Sequence, residues 1–161
     1  MSHLRRKDRE ITDPGHIDRI LMGGRFVTIA LADGAMPYVV TLSYGYDAAA
    51  GRLCFHAAKA GRKLDIMARN PVASATVILD LGYRAGECAH SYESVVMSGT
   101  LSAIHDPDDA RAAMRVLVGH LERPEDLEEV WTRNALSDDA AFGRFTMLEF
   151  AIDEVCAKQG Q

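Results

Sequence analysis

The sequence predicts a mainly β domain: an antiparallel sheet of about six strands, closed into a small barrel and flanked by helices. Three observations carry this. Strand-like runs come in hairpin-spaced groups rather than in strict strand–helix alternation, which points to antiparallel pairing. About six strands suit closure, which removes exposed edges. A chain of 161 residues fits one domain and can bury a core without disulfide or metal staples.

Each element has a local reason. Residues 1–11 are highly charged and read as a loosely held arm. Asp13-Pro14 opens a helix, aspartate as cap and proline as first helical residue. Ile17, Ile20 and Leu21 form its apolar stripe, and Gly23-Gly24 stops it. Phe26 to Leu31 is β-rich, Asp33-Gly34 signals a turn, and Pro37 to Tyr44 reads as a second strand with proline where no ladder donor is needed. Leu53 to His56 completes a three-strand meander. The period then changes: Arg62 to Arg69 carries Leu64, Met67 and Ala68 on one helical face, and Asn70-Pro71 ends it. Val72 to Leu81 is a strand, Gly82 to Glu93 a polar loop, and Val95 to Ile104 a fifth strand with Gly99 as a bulge or close-approach point. Asp106-Pro107 repeats the cap-plus-proline start, and Ala110, Met114, Leu117, Val118 and Leu121 make the stripe of the following helix. Pro124 opens a short helix ending near Trp131. Phe145 to Ile152 alternates as a last strand.

Composition narrows the function. Eighteen basic residues against 23 acidic ones leave a net charge of -5, which argues against non-specific nucleic-acid binding. The three cysteines, Cys54, Cys88 and Cys156, are widely spaced and form no CxxC pair, so neither a disulfide framework nor a zinc site is expected. No stretch approaches the ~20 apolar residues of a spanning helix, and the basic N-terminus lacks an apolar stretch behind it. We therefore expect a cytoplasmic protein that engages no membrane. GxSxG, HExxH, Walker A and strand-linked GxGxxG motifs are all missing from the sequence.

The most informative segment is Phe55-His56-Ala57-Ala58-Lys59-Ala60-Gly61-Arg62-Lys63-Leu64. A strand ends, small residues turn, and two adjacent cations open a helix. Main-chain N–H groups at a helix start favour anions, and Arg62 and Lys63 would add a forked contact and a point charge. A phosphate group is the natural guest, although a solvated helix start would look the same. His56 suits either a hydrogen-bonded strand position or a proton donor. Ser91, Tyr92 and Ser94 place hydroxyls after the polar loop, where they could cap the strand or bind a polar ligand edge.

These segments occur in a familiar order: Pro37-Tyr38-Val39-Val40-Thr41-Leu42-Ser43-Tyr44, then Phe55 to Lys63, then Asn70-Pro71, then Tyr92-Glu93-Ser94-Val95-Val96-Met97-Ser98-Gly99. The set resembles the pyridoxamine 5'-phosphate oxidase-like FMN-binding split-barrel proteins, and within them the nitroimidazole-resistance (Nim) group, whose N-terminus Arg5-Arg6-Lys7-Asp8-Arg9-Glu10-Ile11 also resembles. The resemblance implies a six-stranded antiparallel split β-barrel and a homodimer with FMN in each interface cleft. By position it assigns the FMN phosphate to Arg62 and Lys63. It assigns the isoalloxazine ring to the strand Val39, Val40, Thr41 and Leu42, and the flank of the flavin to His56 and Ala57. Ser94 falls on a polar flavin contact. Thr41 stands where many Nim sequences have proline. An arginine-rich C-terminal substrate site, found in true oxidases of pyridoxamine phosphate, is not seen, so that activity is not expected.

The implied function is a flavin oxidoreductase reducing a small electrophile such as a nitroaromatic, with His56 as candidate catalytic proton donor. A non-catalytic flavin protein, and a haem protein using His56 or His90, are the alternatives. One phosphate cradle without a dinucleotide fingerprint favours FMN over FAD. No metal is expected. A flat ring against the outside of a filled barrel needs a second subunit to cover it, and Val95, Met97 and Trp131 are candidate covering residues.

Overall fold

The computed structural model describes residues 5–160. Its strands are β1 (Glu10–Ile11), β2 (Phe26–Asp33), β3 (Met36–Ser43), β4 (Gly45–Asp47), β5 (Arg52–Ala57), β6 (Val72–Arg84), β7 (Ala89–Ile104) and β8 (Thr146–Gly160). Its helices are α1 (Pro14–Gly23), α2 (Arg62–Arg69), α3 (Pro107–Leu121), α4 (Leu127–Arg133) and α5 (Asp139–Phe142). All pairing is antiparallel, in the order β3-β2-β6-β7-β8-β5-β4, with β1 on β8. The expected fold class holds, with eight strands in place of six: β1 and β4 are too short to show a period of two.

The ladder path ends at β3 on one side and β4 on the other, yet only Tyr44 separates those strands in the chain. The sheet thus closes through a covalent corner rather than a hydrogen-bonded seam. Tyr44 anchors the corner. Its ring is fully buried, and its hydroxyl donates to the Leu21 carbonyl at 2.5 Å. Burial pushes the phenol well above its ordinary pKa, so it remains a donor.

Alternation fills the barrel. Val27, Ile29 and Leu31 of β2, Ala73, Ala75 and Val77 of β6, Leu53 and Phe55 of β5, and Leu148 and Phe150 of β8 share one core. Each large apolar side chain buried there contributes roughly 1.5–3 kcal/mol. A second core lies outside the barrel wall, where Cys54 and Met147 pack under Ala113, Met114 and Leu117 of α3 and Trp131 of α4.

Several local expectations are corrected. From Glu10 the charged arm is held, because Glu10 and Ile11 pair with Lys158 and Ala157 and Ile11 is buried; residues 1–4 lie outside the described residues. The stretch 82–93 is mostly hairpin rather than loop. β6 runs to Arg84 and β7 starts at Ala89, with Tyr83 opposite His90, because cross-strand pairing overrides polar composition. The last strand continues to Gly160, since β7 offers partners as far as Tyr92. Gly24 leaves α1 in extended rather than left-handed backbone, and glycine is needed there for close approach, since a Cβ would lie 2.4 Å from Val77 Cγ1.

Candidate functional site at the split of the barrel

The register of β4 on β5 locates the split. Gly45 faces Cys54, Tyr46 faces Leu53, and Asp47 faces Arg52. Continued backwards, that ladder would set Ser43 against His56 and Leu42 against Ala57. It stops at the Tyr44 corner instead, and β3 departs to pair with β2 alone. Two strand edges therefore face the opening, Val39 to Leu42 on β3 and Phe55 to Ala57 on β5. Neither segment makes a main-chain hydrogen bond beyond its own ladder among the described residues. Edge N–H and C=O groups of this kind are ready donors and acceptors.

The start of α2 sits beside the same opening. The Arg62 guanidinium lies 5.0 Å over the Tyr38 ring and 3.4 Å from Asp33 Oδ2. Gly61 precedes the helix at φ 141°, a conformation that favours glycine, and no side chain caps the helix. The other two long helices differ. Asp13 accepts from His16 N at the start of α1, and Asp106 accepts from Asp108 N and Asp109 N at the start of α3. In α2 the first acceptor, Gly61 O, is reached by Leu64 N and Asp65 N, which leaves the Arg62 and Lys63 N–H groups without a main-chain partner among the described residues. An uncapped, positively flanked helix start is what a phosphate monoester needs.

Asp33 organises the cations. It accepts from Arg69 at 2.6 Å as well as from Arg62. The Arg69 hydrogen bond, followed by the charges of both arginines, holds its carboxyl below the usual range. A depressed carboxylate pKa gives pairing that is complete above the unfolded value and lost as pH falls through the folded one. We therefore expect Arg62 mobility, read by NMR of its side-chain Nε–H, to stay constant from neutral pH down through the usual carboxylate range and to rise only below it. A rise centred near neutrality would assign the change to another group.

The structure brings together Val39, Val40, Thr41, Leu42, Ala57, Arg62 and Lys63 around the split. His56 is only half there. Its main chain forms the β5 edge, but its side chain turns outward and meets the Phe145 ring at 5.7 Å between centroids. Thr41 also points outward, sharing a hydrogen bond with Thr28 at 3.1 Å.

Ser94 lies elsewhere, on β7 opposite Ile78 and Lys158. Its side chain is 4% exposed, and Oγ is buried without a hydrogen-bond partner. Along the sheet it stands on the order of 25 Å from Asp33, counting rise and strand spacing.

The outer face of β3-β2-β6-β7-β8 between these points is uncovered. Its cross-strand rows run Thr41-Thr28-Thr76-Val96-Cys156 and Val39-Ala30-Ser74-Ser98-Glu154. Val39, Ile78 and Val96 are each at least 43% exposed there. The covering residues named from sequence are corrected. Val95 and Met97 point into the barrel, and Trp131 is buried under Arg115, whose guanidinium lies 4.0 Å over its ring. A one-residue shift in facing, which the sequence of β7 left open, exchanges Val95 for Val96.

Among the described residues, no cluster of histidine, cysteine or carboxylate side chains could hold a metal ion, and no helix is long and apolar enough to cross a membrane.

Solved structures share this fold. A candidate 5-nitroimidazole antibiotic resistance protein from Bacteroides thetaiotaomicron matches with a TM-score of 0.76 at 21% identity, covering 94% of this chain and 86% of that one. A FAD-binding protein from Mesorhizobium loti matches at 0.66 and 22% identity, covering 94% and 96%. A FAD and haem binding protein from Mycobacterium smegmatis matches at 0.76 and 18% identity, covering 93% and 72%. A search of curated proteins found no match. The family model described as pyridoxamine 5'-phosphate oxidase matches residues 13–159, nearly the whole chain, and the protein belongs to that family.

Proposed function

We propose that the protein is a homodimer that binds FMN in the split of each barrel and uses it to reduce a small electrophile such as a nitroaromatic. The observation that carries this reading is the uncapped start of α2, with Arg62 and Lys63 beside two unpaired strand edges. Arg62, Lys63 and the first-turn N–H groups would hold the phosphate. The Val39–Leu42 edge would meet the polar rim of the ring, and Ala57 leaves room beside it. The buried, partnerless Ser94 Oγ fits a polar contact supplied across a two-fold to the partner's flavin. The exposed outer sheet face supplies the surface that would pair. When bound, the flavin supplies hydride and electron transfer, while the protein supplies position and protons. His56 lies on the β5 edge of the split, and its imidazole can hold a proton at either ring nitrogen.

Two of the similar structures are named for FAD, and one of them also for haem, so the identity of the cofactor is the first test. The purified protein is expected to show a flavin spectrum without a Soret band, and to release FMN on heating. Release of FAD alone would overturn the FMN assignment, and a Soret band would favour haem. Light scattering during size-exclusion chromatography is expected to place the flavin in a species of twice the 17.6 kDa chain mass; flavin in a monomer would refute the shared cleft. Consumption of NAD(P)H that depends on a nitroaromatic separates an oxidoreductase from a flavin carrier.

For His56, the expectation is that His56→Ala slows flavin reduction or shifts its spectrum while leaving the melting temperature within about 2 °C, because its exposed side chain carries little packing. A change in melting temperature alone would make it a structural residue.

A further inference from the structure

On the far side of β5 from the barrel core lies a cavity of about 360 Å³ between the barrel wall and the helical layer. Its wall comes from the stripe of α3, Met114, Leu117, Val118 and Leu121, with Val130 and Leu136 from the segment that follows. That size and an apolar wall with few polar groups are the marks of a small-molecule site.

The polar groups are His56, Glu122, Asn134 and Arg144. The His56 ring makes no hydrogen bond among the described residues; its recorded contact is the edge-on one with Phe145, which also lines the cavity. Arg144 has no carboxylate within ion-pair distance among the described residues, and its guanidinium donates only to the Asn134 carbonyl, at 3.4 Å. It follows that a fork of guanidinium donors stands next to two aromatic rings over an apolar floor. Glu122 caps the end of α3 on the same rim and disfavours a second negative charge.

We propose that this cavity binds a flat apolar monocarboxylate, such as an aromatic acid, with its ring against His56 and Phe145 and its carboxylate on Arg144. The cavity lies under the helical layer and shares only His56 with the split, so the site does not depend on the flavin reading.

The single tryptophan makes the test direct. Trp131 is buried in the helical layer, next in sequence to the lining residue Val130. Titrating the whole protein with 3-phenylpropanoate is expected to change Trp131 emission saturably, with matching heat in calorimetry. The neutral 3-phenylpropanol and the doubly charged phenylsuccinate are expected to bind at least tenfold more weakly. Arg144→Gln should lower affinity for the acid about tenfold, the loss of one charge-assisted contact, and leave the alcohol unchanged. Val118→Phe, which fills the cavity, should abolish both responses while circular dichroism stays native. The proposal is overturned by no saturable response to the acid, by equal binding of acid and alcohol, or by an Arg144→Gln variant that binds the acid as tightly as the parent.

Discussion

Gly99→Ala is expected to be the most damaging small substitution in this protein. Gly99 sits in β7 where its pairing with β8 slips, between Ser98 opposite Glu154 and Gly99 opposite Ile152. A Cβ there would lie 2.0 Å from the Ala151 carbonyl oxygen and 2.9 Å from the Phe150 ring. The first of these is main chain in the longest ladder of the barrel, so no rotamer change relieves it. The ladder must open, and the Phe150 ring, fully buried, must shift as well. Overpacking of this kind costs about 3 kcal/mol, or roughly 10 °C in melting temperature for a domain of this size. Gly119→Ala is the control. Gly119 lies in α3, exposed, with nothing within 4 Å of its Cβ position. Relief of glycine's helix penalty should stabilise that variant by roughly 0.5–1 kcal/mol. Thermal melts of the two variants decide the matter: equal, near-neutral values would show that β7 and β8 separate there without cost.

Arg62→Ala is expected to weaken FMN binding by one to two decades. Charge-assisted contacts to phosphate contribute roughly 1.5–3 kcal/mol each, which corresponds to about that range in dissociation constant. The fold should tolerate the change. Arg62 is 56% exposed, its ion pair with Asp33 is long at 3.4 Å, and Arg69 holds the same carboxylate at 2.6 Å. Exposed pairs of this kind contribute little to stability. Titration of apo-protein with FMN and with riboflavin separates the possibilities. The variant should lose its preference for FMN while binding riboflavin as before. An unchanged FMN constant would place the phosphate away from α2. Asp33→Asn provides the opposite sign: it frees both arginines from a competing carboxylate and should tighten FMN binding while leaving riboflavin unaffected.

Much of this architecture was legible residue by residue. Asp13-Pro14 and Asp106-Pro107 mark helix starts because an aspartate oxygen and a proline ring each satisfy a local requirement, and both caps are in place. Arg62 to Arg69 is helical over those residues. Gly99 stood out in a strand because a glycine there has no packing use, and a bulge is where it sits. The cationic helix start was legible because cations oppose the helix dipole unless something else needs them.

What failed to show was set by partners distant in the chain. The polar stretch Gly82 to Arg84 becomes strand because β7 runs alongside it, and residues 153–160 because β7 and β1 both use them. Which face of β7 looks outward depends on the register, and so Val95 and Met97 went inside while Val96 and Ser94 turned out. The side-chain direction of His56 follows from β5 pairing with β8, which sends Leu53, Phe55 and Ala57 to the core and Cys54 and His56 to the helices.

The sequence by itself determined the antiparallel β class, the starts of α1 and α3, the span of α2 and a cationic helix start suited to phosphate, because caps, turns and periodicity act over a few residues; α4, which runs Leu127–Arg133, and α5 were not bounded by it. Only the tertiary structure decided where the barrel splits, which sheet face is left uncovered, and that Ser94 is buried without a partner far from Arg62. Those outcomes depend on ladder register and on where one strand leaves another at Tyr44, and register is settled by burying a whole face at once rather than by any local run of residues.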